Sequence, residues 1–305
     1  YEAGKAHQNT ALAIYIGYEA GHDVSTGAQN VLIGGESGSK ITDGERNVAI
    51  GSYTLQLTNP SSTVIIGDNA GVYASGDNNV FIGRLAGTGG TTSGSYSTGS
   101  NNVAVGREAL EAFTTGSNNV CIGRSAGTAI TDSGSNVFIG SEAGLTYTAS
   151  NGENVAIGKE AMESIDGGYG NTVVGNEAMK TTGSSNNPLY CVAVGYQALN
   201  KTTTGDYNVA MGYRAGYEIT TGTDNVSLGR NAGDAITNAI RTVSVGTLAL
   251  TSSQSSTGDV AVGYFALGNM NGSGTNVGLG YQAGDLITSG TAIVVVGYDA
   301  DVSAN

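Results

Sequence analysis

The sequence predicts an all-β chain wound as a parallel β-solenoid, a flattened two-strand β-roll of 17 rungs with about 17 residues per rung. Three observations carry this. A glycine closing a Val-x-Ile-Gly motif recurs at 17, 34, 51, 67, 83, 106, 123, 140, 158, 175, 195, 212, 229, 246, 263, 280 and 297. All steps but two, 83 to 106 and 175 to 195, are 16 to 18 residues long. Each glycine is preceded by two aliphatic columns and followed by a small residue and a polar turn.

The strand comes first in each rung. Three residues before the glycine, 15 of 17 copies carry Val, the others being Ile14 and Thr172. One residue before it, every copy is aliphatic or Met, from Ile16 through Met211 to Val296. Positions two apart share a strand face, and Val and Ile suit a pleated, buried surface. These two columns are therefore expected to line the interior. The residue between them then points outward, and that column is almost wholly apolar. A continuous apolar stripe should not face water, and a closed symmetric assembly would cover it. Phe81, Ala104, Phe138, Ala156, Ala193 and Ala210 are on this basis the expected interface of a homotrimer packed about an axis.

The glycine turns the chain out of the strand, since it lacks a Cβ and tolerates positive φ. Three residues later Ala stands in 15 of 17 copies, implying a tight corner. A second, weaker strand should follow, with its apolar residue seven after the glycine: Ile41, Ile130, Ile165, Ile219, Ile236 and Ile287. Turns such as Thr114-Thr-Gly-Ser-Asn118 close the rung. Stacked at about 4.8 Å per rung, the copies would form a rod roughly 80 Å long.

Four residues before the glycine, 11 of 17 copies are Asn, among them Asn30, Asn47, Asn79, Asn102, Asn119, Asn136, Asn154, Asn208, Asn225 and Asn276. Stacked amides can hydrogen-bond along the axis as a ladder, and Asn also suits the turn before a strand. The residue after the glycine is Arg or Lys in five rungs, then Tyr196, Tyr213, Tyr264, Tyr281 and Tyr298. The next residue is often Glu. These columns imply exposed, mutually neutralising charges and an aromatic file. Aromatic stacking along a β-face explains that file; a sugar-binding surface is the functional alternative.

The two long steps insert residues near 88–100 and 181–190. Solenoid insertions map to loops off the rod, and these two carry Tyr96 and Tyr190. Candidate receptor-binding residues are thus Tyr96, Tyr190, Tyr196, Tyr213, Tyr264 and Tyr281.

Composition narrows the classes. The chain has 305 residues with 50 Gly, 2 Pro and 12% charged residues. That mixture suits disorder when aperiodic, but strict aliphatic columns argue for one continuous solenoid domain over 1–305, each rung buried on the next. A net charge of −13 speaks against nucleic acid as a partner, and no apolar run is long enough for membrane insertion. Cys121 and Cys191 lie about four rungs, or ~19 Å, apart, too far for a disulfide. Both ends fall inside a repeat without a visible cap, so a segment of a longer fibre is expected.

Catalytic signals are weak. Gly278-Leu-Gly-Tyr-Gln-Ala283 fits a dinucleotide fingerprint, but it is one rung of the repeat with no βαβ unit around it. His7 and His22 are the only histidines, and no Cys/His cluster has metal spacing. No enzyme activity, cofactor or metal is expected.

The stretches Asn47–Thr54, Asn102–Ala109, Asn154–Ala161 and Asn208–Ala215 resemble the head repeats of trimeric autotransporter adhesins of the YadA type. They look equally like Gly-rich repeats of bacteriophage tail fibres. The likeness spans essentially the whole chain. It implies a trimer of parallel β-rolls, extracellular or on a virion. The adhesin repeat is shorter than the step here, and the adhesin's coiled-coil stalk and anchor have no counterpart, which favours the tail-fibre side. The leading expectation is a structural fibre segment of a phage tail fibre or similar extracellular appendage, either a plain shaft or one that also binds a cell-surface glycan or protein receptor. The alternatives are a bacterial adhesin head binding host matrix or glycan, and an ice-binding β-solenoid. The last rests on Thr eight after the glycine in 9 of 17 rungs, a column interrupted by Asn59, Asp166 and Gly183.

Overall fold

The structure, a computed structural model, describes residues 1–8, 12–90, 96–181, 186–272 and 274–302. Parts of both expected insertions, 91–95 and 182–185, and Gly183 of the threonine column lie outside the described residues. The chain is an all-β parallel solenoid with 17 strands of three residues each. It divides into two compact units, Tyr1–Glu153 and Asn154–Asn305. The first contains the eight strands from Ile14–Ile16 to Val137–Ile139, the second the nine from Val155–Ile157 to Val294–Val296.

Within each unit, strands of successive rungs pair in parallel. Val103 lies opposite Val120, and Val120 opposite Val137, so like residues superpose along the axis. The long steps leave the register intact: Val80 pairs with Val103 and Thr172 with Val192. The strand ladder thus crosses both long steps without a shift of register. Val31 N donates to Asn47 O at 2.8 Å, and Gly34 N to Ile16 O at 2.7 Å, so each rung is bonded to both neighbours.

The strand faces are the reverse of the expectation. In every strand but Ile14–Ile16 the middle residue is buried, while the Val and Ile on either side of it are half-buried or exposed. Phe81, Ala104, Phe138, Ala156, Ala193 and Ala210 are fully buried inside their own chain and cannot form a trimer interface. The reason is the narrow lumen. Four positions of each rung fill it: the middle strand residue and those three, four and seven after the glycine. In the rung closing on Gly106 these are Ala104, Ala109, Leu110 and Phe113, all fully buried. Two aliphatic columns from one strand could not fit there as well.

The lumen positions compensate one another in size. Where the middle residue is large, the residue six later is glycine: Leu32 with Gly38, Ile65 with Gly71, Phe81 with Gly87, Phe138 with Gly144. Where it is alanine, the partner is usually long: Ala49 with Leu55, Ala104 with Leu110, Ala156 with Met162. A Cβ placed on Gly71 would stand 2.5 Å from Ile65 Cδ1. Where both are small, as at Ala210 with Gly216 and Gly278 with Gly284, a leucine of the preceding rung fills the space: a Cβ on Gly216 would stand 3.0 Å from Leu199 Cδ2, and one on Gly278 2.7 Å from Leu267 Cγ.

The expected second strand does not form. After the glycine the chain runs through consecutive turns. Ala109 N donates back to Gly106 O at 3.3 Å, and φ is positive at Glu108 (61°) and Leu110 (51°). A left-handed third residue is the signature of a type II turn, and two of them in quick succession preclude an extended segment. Outside the strands, successive rungs are joined by single-residue bridges such as Thr223 with Ile240 and by backbone hydrogen bonds such as Leu110 N to Ala126 O at 3.0 Å and Thr114 N to Thr131 O at 2.7 Å. The residue seven after the glycine still points inward, and Ile41, Ile130, Ile165, Ile219, Ile236 and Ile287 are buried as expected.

The closing glycine has a second constraint besides its turn. Gly83 has φ of +135°, and a Cβ there would stand 2.5 Å from Gly106 O of the next rung. The glycines stack on one another, which accounts for their presence in every copy.

Candidate functional site: the ladders and the outward columns

The asparagine column forms a buried, directional ladder. Asn119 Oδ1 accepts from Asn136 N at 3.0 Å, while Asn119 Nδ2 donates to Ser133 O at 2.9 Å. One amide thus satisfies a donor and an acceptor of the following rung. Asn30, Asn47 and Asn102 repeat the pattern in the first unit, with Nδ2 on Gly44 O, Pro60 O and Gly116 O. Asn79 donates to both Gly76 O and Gly99 O and accepts from Asn102 N. Asn136 Nδ2 turns to Asn119 Oδ1 and Ser133 Oγ. In the second unit Asn154 Oδ1 accepts from Asn171 N, Asn208 Oδ1 from Asn225 N, and Asn276 Oδ1 from Ile293 N. Asn225 Oδ1 takes both the N–H and the hydroxyl of Thr242. The role is structural, since buried polar groups without partners are costly.

Asp259 occupies the asparagine position of the rung closing on Gly263. Its Oδ1 accepts from Asn276 N at 2.8 Å and Nδ2 at 3.0 Å. Its Oδ2 is buried and makes no hydrogen bond among the described residues.

The tyrosines separate into stacks rather than one file. Tyr196 and Tyr213 stack at 5.4 Å, Tyr264 and Tyr281 at 5.2 Å, and Tyr281 and Tyr298 at 5.0 Å. Arg230 and Thr247 stand in the same column between the two groups. Tyr190 stacks on Tyr207 at 5.6 Å and meets Tyr169 edge-on. Sequence reasoning missed Tyr207 because it looked for a tyrosine column only after the glycine; the signal was its position five before the glycine, the same as Tyr190. All six candidate tyrosines are exposed, Tyr96 included. Stacking covers one or both faces of each ring and leaves edges and hydroxyls outward.

The charged columns neutralise each other as expected. Arg84 reaches Glu108 of the next rung at 3.3 Å, Arg107 reaches the same Glu108 within its own rung at 3.2 Å, and Arg124 bonds Glu142 of the next rung. Lys180 bridges Glu160 at 2.5 Å and Glu163 at 2.9 Å. The exposed arginine pairs contribute little to stability, whereas Glu160 is buried beneath Lys180. The threonine hydroxyls are also used internally: Thr114 Oγ1 donates to Thr131 O, Thr203 to Thr220 O, Thr220 to Thr237 O. Donors bonded along the axis do not form a free array for ice.

Among the described residues no group of His, Cys, Asp and Glu is arranged to hold a metal ion. Both cysteines are buried and unbonded to each other. Burial pushes the Cys121 and Cys191 thiols up to about 12, so neither is a nucleophile. No helix is long and apolar enough to cross a membrane among the described residues. The Gly278 motif is a strand and corner, Val277–Leu279 with its turn, and not a phosphate loop.

The remaining feature is the outward pair of strand columns. Ile122 is 37% exposed and Met211 is 47% exposed, against full burial of Cys121 and Ala210 beside them. The fold and its ladders define a parallel β-solenoid. No family model, curated protein or solved structure matches the chain.

Proposed function

We propose that the chain is a structural fibre segment of a phage tail fibre or a similar extracellular appendage, self-associating as the homotrimer that its repeat resemblance implies. The observation that carries this is the asparagine ladder. It locks each rung to the next with buried, charge-free hydrogen bonds over most rungs of both units, as a stiff spacer requires. The glycine stack and the internally bonded threonines support the same reading, because they build repetition instead of a cavity. The test is the mass in solution by light scattering. The reading expects a multiple of the 30.5 kDa chain, and a monomer at micromolar concentration would sink it.

The second reading is an adhesin head that binds a glycan or protein receptor. It is favoured by the exposed phenol edges of Tyr190, Tyr207, Tyr196 and Tyr213 in two adjacent rungs. Whole-cell and glycan-array binding, with Tyr96→Ala and Tyr190→Ala, separates the two. A spacer shows no attachment that either change removes; loss of attachment would favour the adhesin.

A further inference from the structure

We propose that the exposed tyrosine stacks are sites of oxidative cross-linking, at which a haem peroxidase working with hydrogen peroxide couples phenols of successive rungs into dityrosine. Four pairs have the geometry. Tyr190 and Tyr207 stack at 5.6 Å with planes 12° apart, and Tyr196 and Tyr213 at 5.4 Å and 17°. Tyr264 and Tyr281 stack at 5.2 Å and 15°, and Tyr281 and Tyr298 at 5.0 Å and 9°. In each pair the partner lies 17 residues on, one rung along the axis. All seven rings are exposed, from 42% at Tyr196 to 78% at Tyr298. An enzyme can therefore reach them, and each ring has room to tilt toward its neighbour.

Composition directs the oxidation to these rings. The chain has 16 Tyr and no Trp. Both cysteines are buried, as are Met162, Met179 and Met270. Met211 is exposed, but its sulfur is oxidised by taking up an oxygen atom and not by losing hydrogen. Tyrosine is thus the accessible side chain that gives up an electron and a proton most readily.

The step balances. Each phenol gives one electron and one proton, leaving a phenoxyl radical. Two radicals join through ring carbons ortho to oxygen, forming one C–C bond. The hydrogen on each of those carbons then moves to its own ring oxygen and restores both phenols. Hydrogen peroxide takes the two electrons and two protons and becomes two molecules of water.

The stacked partner decides where the bond forms. A radical on Tyr281 meets Tyr264 or Tyr298 before it meets another chain. Tyr53 and Tyr96 are exposed as well, but neither has a ring partner among the described residues, so each stays uncoupled. A link closes a loop between residues 17 apart, which restricts the unfolded chain and staples one rung to the next.

The test treats the full chain with peroxidase and hydrogen peroxide, beside Tyr281→Phe. Denaturing electrophoresis, dityrosine fluorescence and mass spectrometry of proteolytic peptides are read for each. The expected product runs as a single chain and is two hydrogens lighter for each link. Its linked peptides join Tyr196 to Tyr213, and Tyr281 to Tyr264 or Tyr298. Tyr281→Phe should lose every link within the Tyr264, Tyr281 and Tyr298 stack and keep that between Tyr196 and Tyr213, which also shows the variant to be folded. The unchanged chain oxidised in urea should lose this pairing. Links found only between chains, links that involve Tyr53 or Tyr96 as often as the stacked rings, or tyrosines consumed without dityrosine would each overturn the proposal.

Discussion

Phe81 occupies the space that Gly87 leaves: a Cβ on Gly87 would stand 2.5 Å from Phe81 Cε2. In the next rung the sizes exchange, with Ala104 at the strand and Leu110 in the corner. In these two rungs the lumen therefore holds one large residue of the pair.

This relationship predicts a compensating pair of substitutions. Phe81→Ala alone should cost about 3–5 kcal/mol through the cavity it opens. Gly87→Leu alone should overpack, costing roughly 1–3 kcal/mol. Together they recreate the Ala104–Leu110 arrangement, so denaturant unfolding should show the double variant more stable than Phe81→Ala. Leu110 already adopts φ of 51°, so the backbone at this corner accepts a leucine.

The asparagine ladder predicts opposite signs at two of its positions. Asn119→Ala strands the N–H of Asn136 and the carbonyl of Ser133 and should destabilise by about 1–3 kcal/mol. Asp259→Asn removes a buried oxygen that has no hydrogen bond among the described residues and supplies a donor in its place. It should stabilise the second unit by about 1 kcal/mol, measured as a raised midpoint in urea.

The repeat, its register, the amide ladder and the inward residue seven after the glycine were all legible in the sequence, because each is a fixed column. Which strand face is inside was not. Alternation defines two faces without ranking them, and the uniform column, Val103, Val120 and Val137, looked like core. The physical signal was the reverse. An interior filled from opposite sides compensates from rung to rung, so its column varies, from Phe81 to Ala104 to Cys121. Uniformity marks the face that has no partner within the chain. The second strand was overread for a similar reason. An inward Ile130 needs only one side chain aimed at the lumen, and turns supply that as well as a strand does. Of the candidate site residues, the tyrosines are exposed as expected and those after the glycine stack within their own column, whereas the partner of Tyr190, Tyr207, lies in a second column five before the glycine.

Alkaline and acid limits follow from buried and paired groups. Unfolded thiols lose their protons near pH 9, whereas Cys121 and Cys191 hold theirs until about 12. The folded chain therefore binds more protons between these values, and stability should fall as pH rises from 9 to 12, by up to about 1.4 kcal/mol per pH unit for each thiol. Neither thiol should react with a disulfide reagent at pH 8 until the chain is unfolded. Glu160 has the opposite sense. Hydrogen bonds from Lys159 and Lys180 hold its carboxyl below the usual carboxylate range. Its contribution is present above that range and lost as pH falls through it, so Glu160→Gln should flatten the acid limb of a stability–pH curve.

The tyrosine stacks should matter modestly to stability. Tyr281 lies between Tyr264 and Tyr298, and Tyr281→Ala loses both contacts, an expected cost of about 1–3 kcal/mol. Tyr96→Ala, with no stacked partner among the described residues, should leave the unfolding midpoint unchanged.

The assignment of inside and outside is tested most directly on two adjacent residues. Cys121 is fully buried and Ile122 is 37% exposed. Thermal unfolding followed by circular dichroism should show that Cys121→Asp, an unpaired charge in the lumen costing about 3–5 kcal/mol or more, loses the first unit's β signal at a far lower temperature. Ile122→Asp should keep that signal and unfold cooperatively. A stable Cys121→Asp beside an unfolded Ile122→Asp would contradict the account.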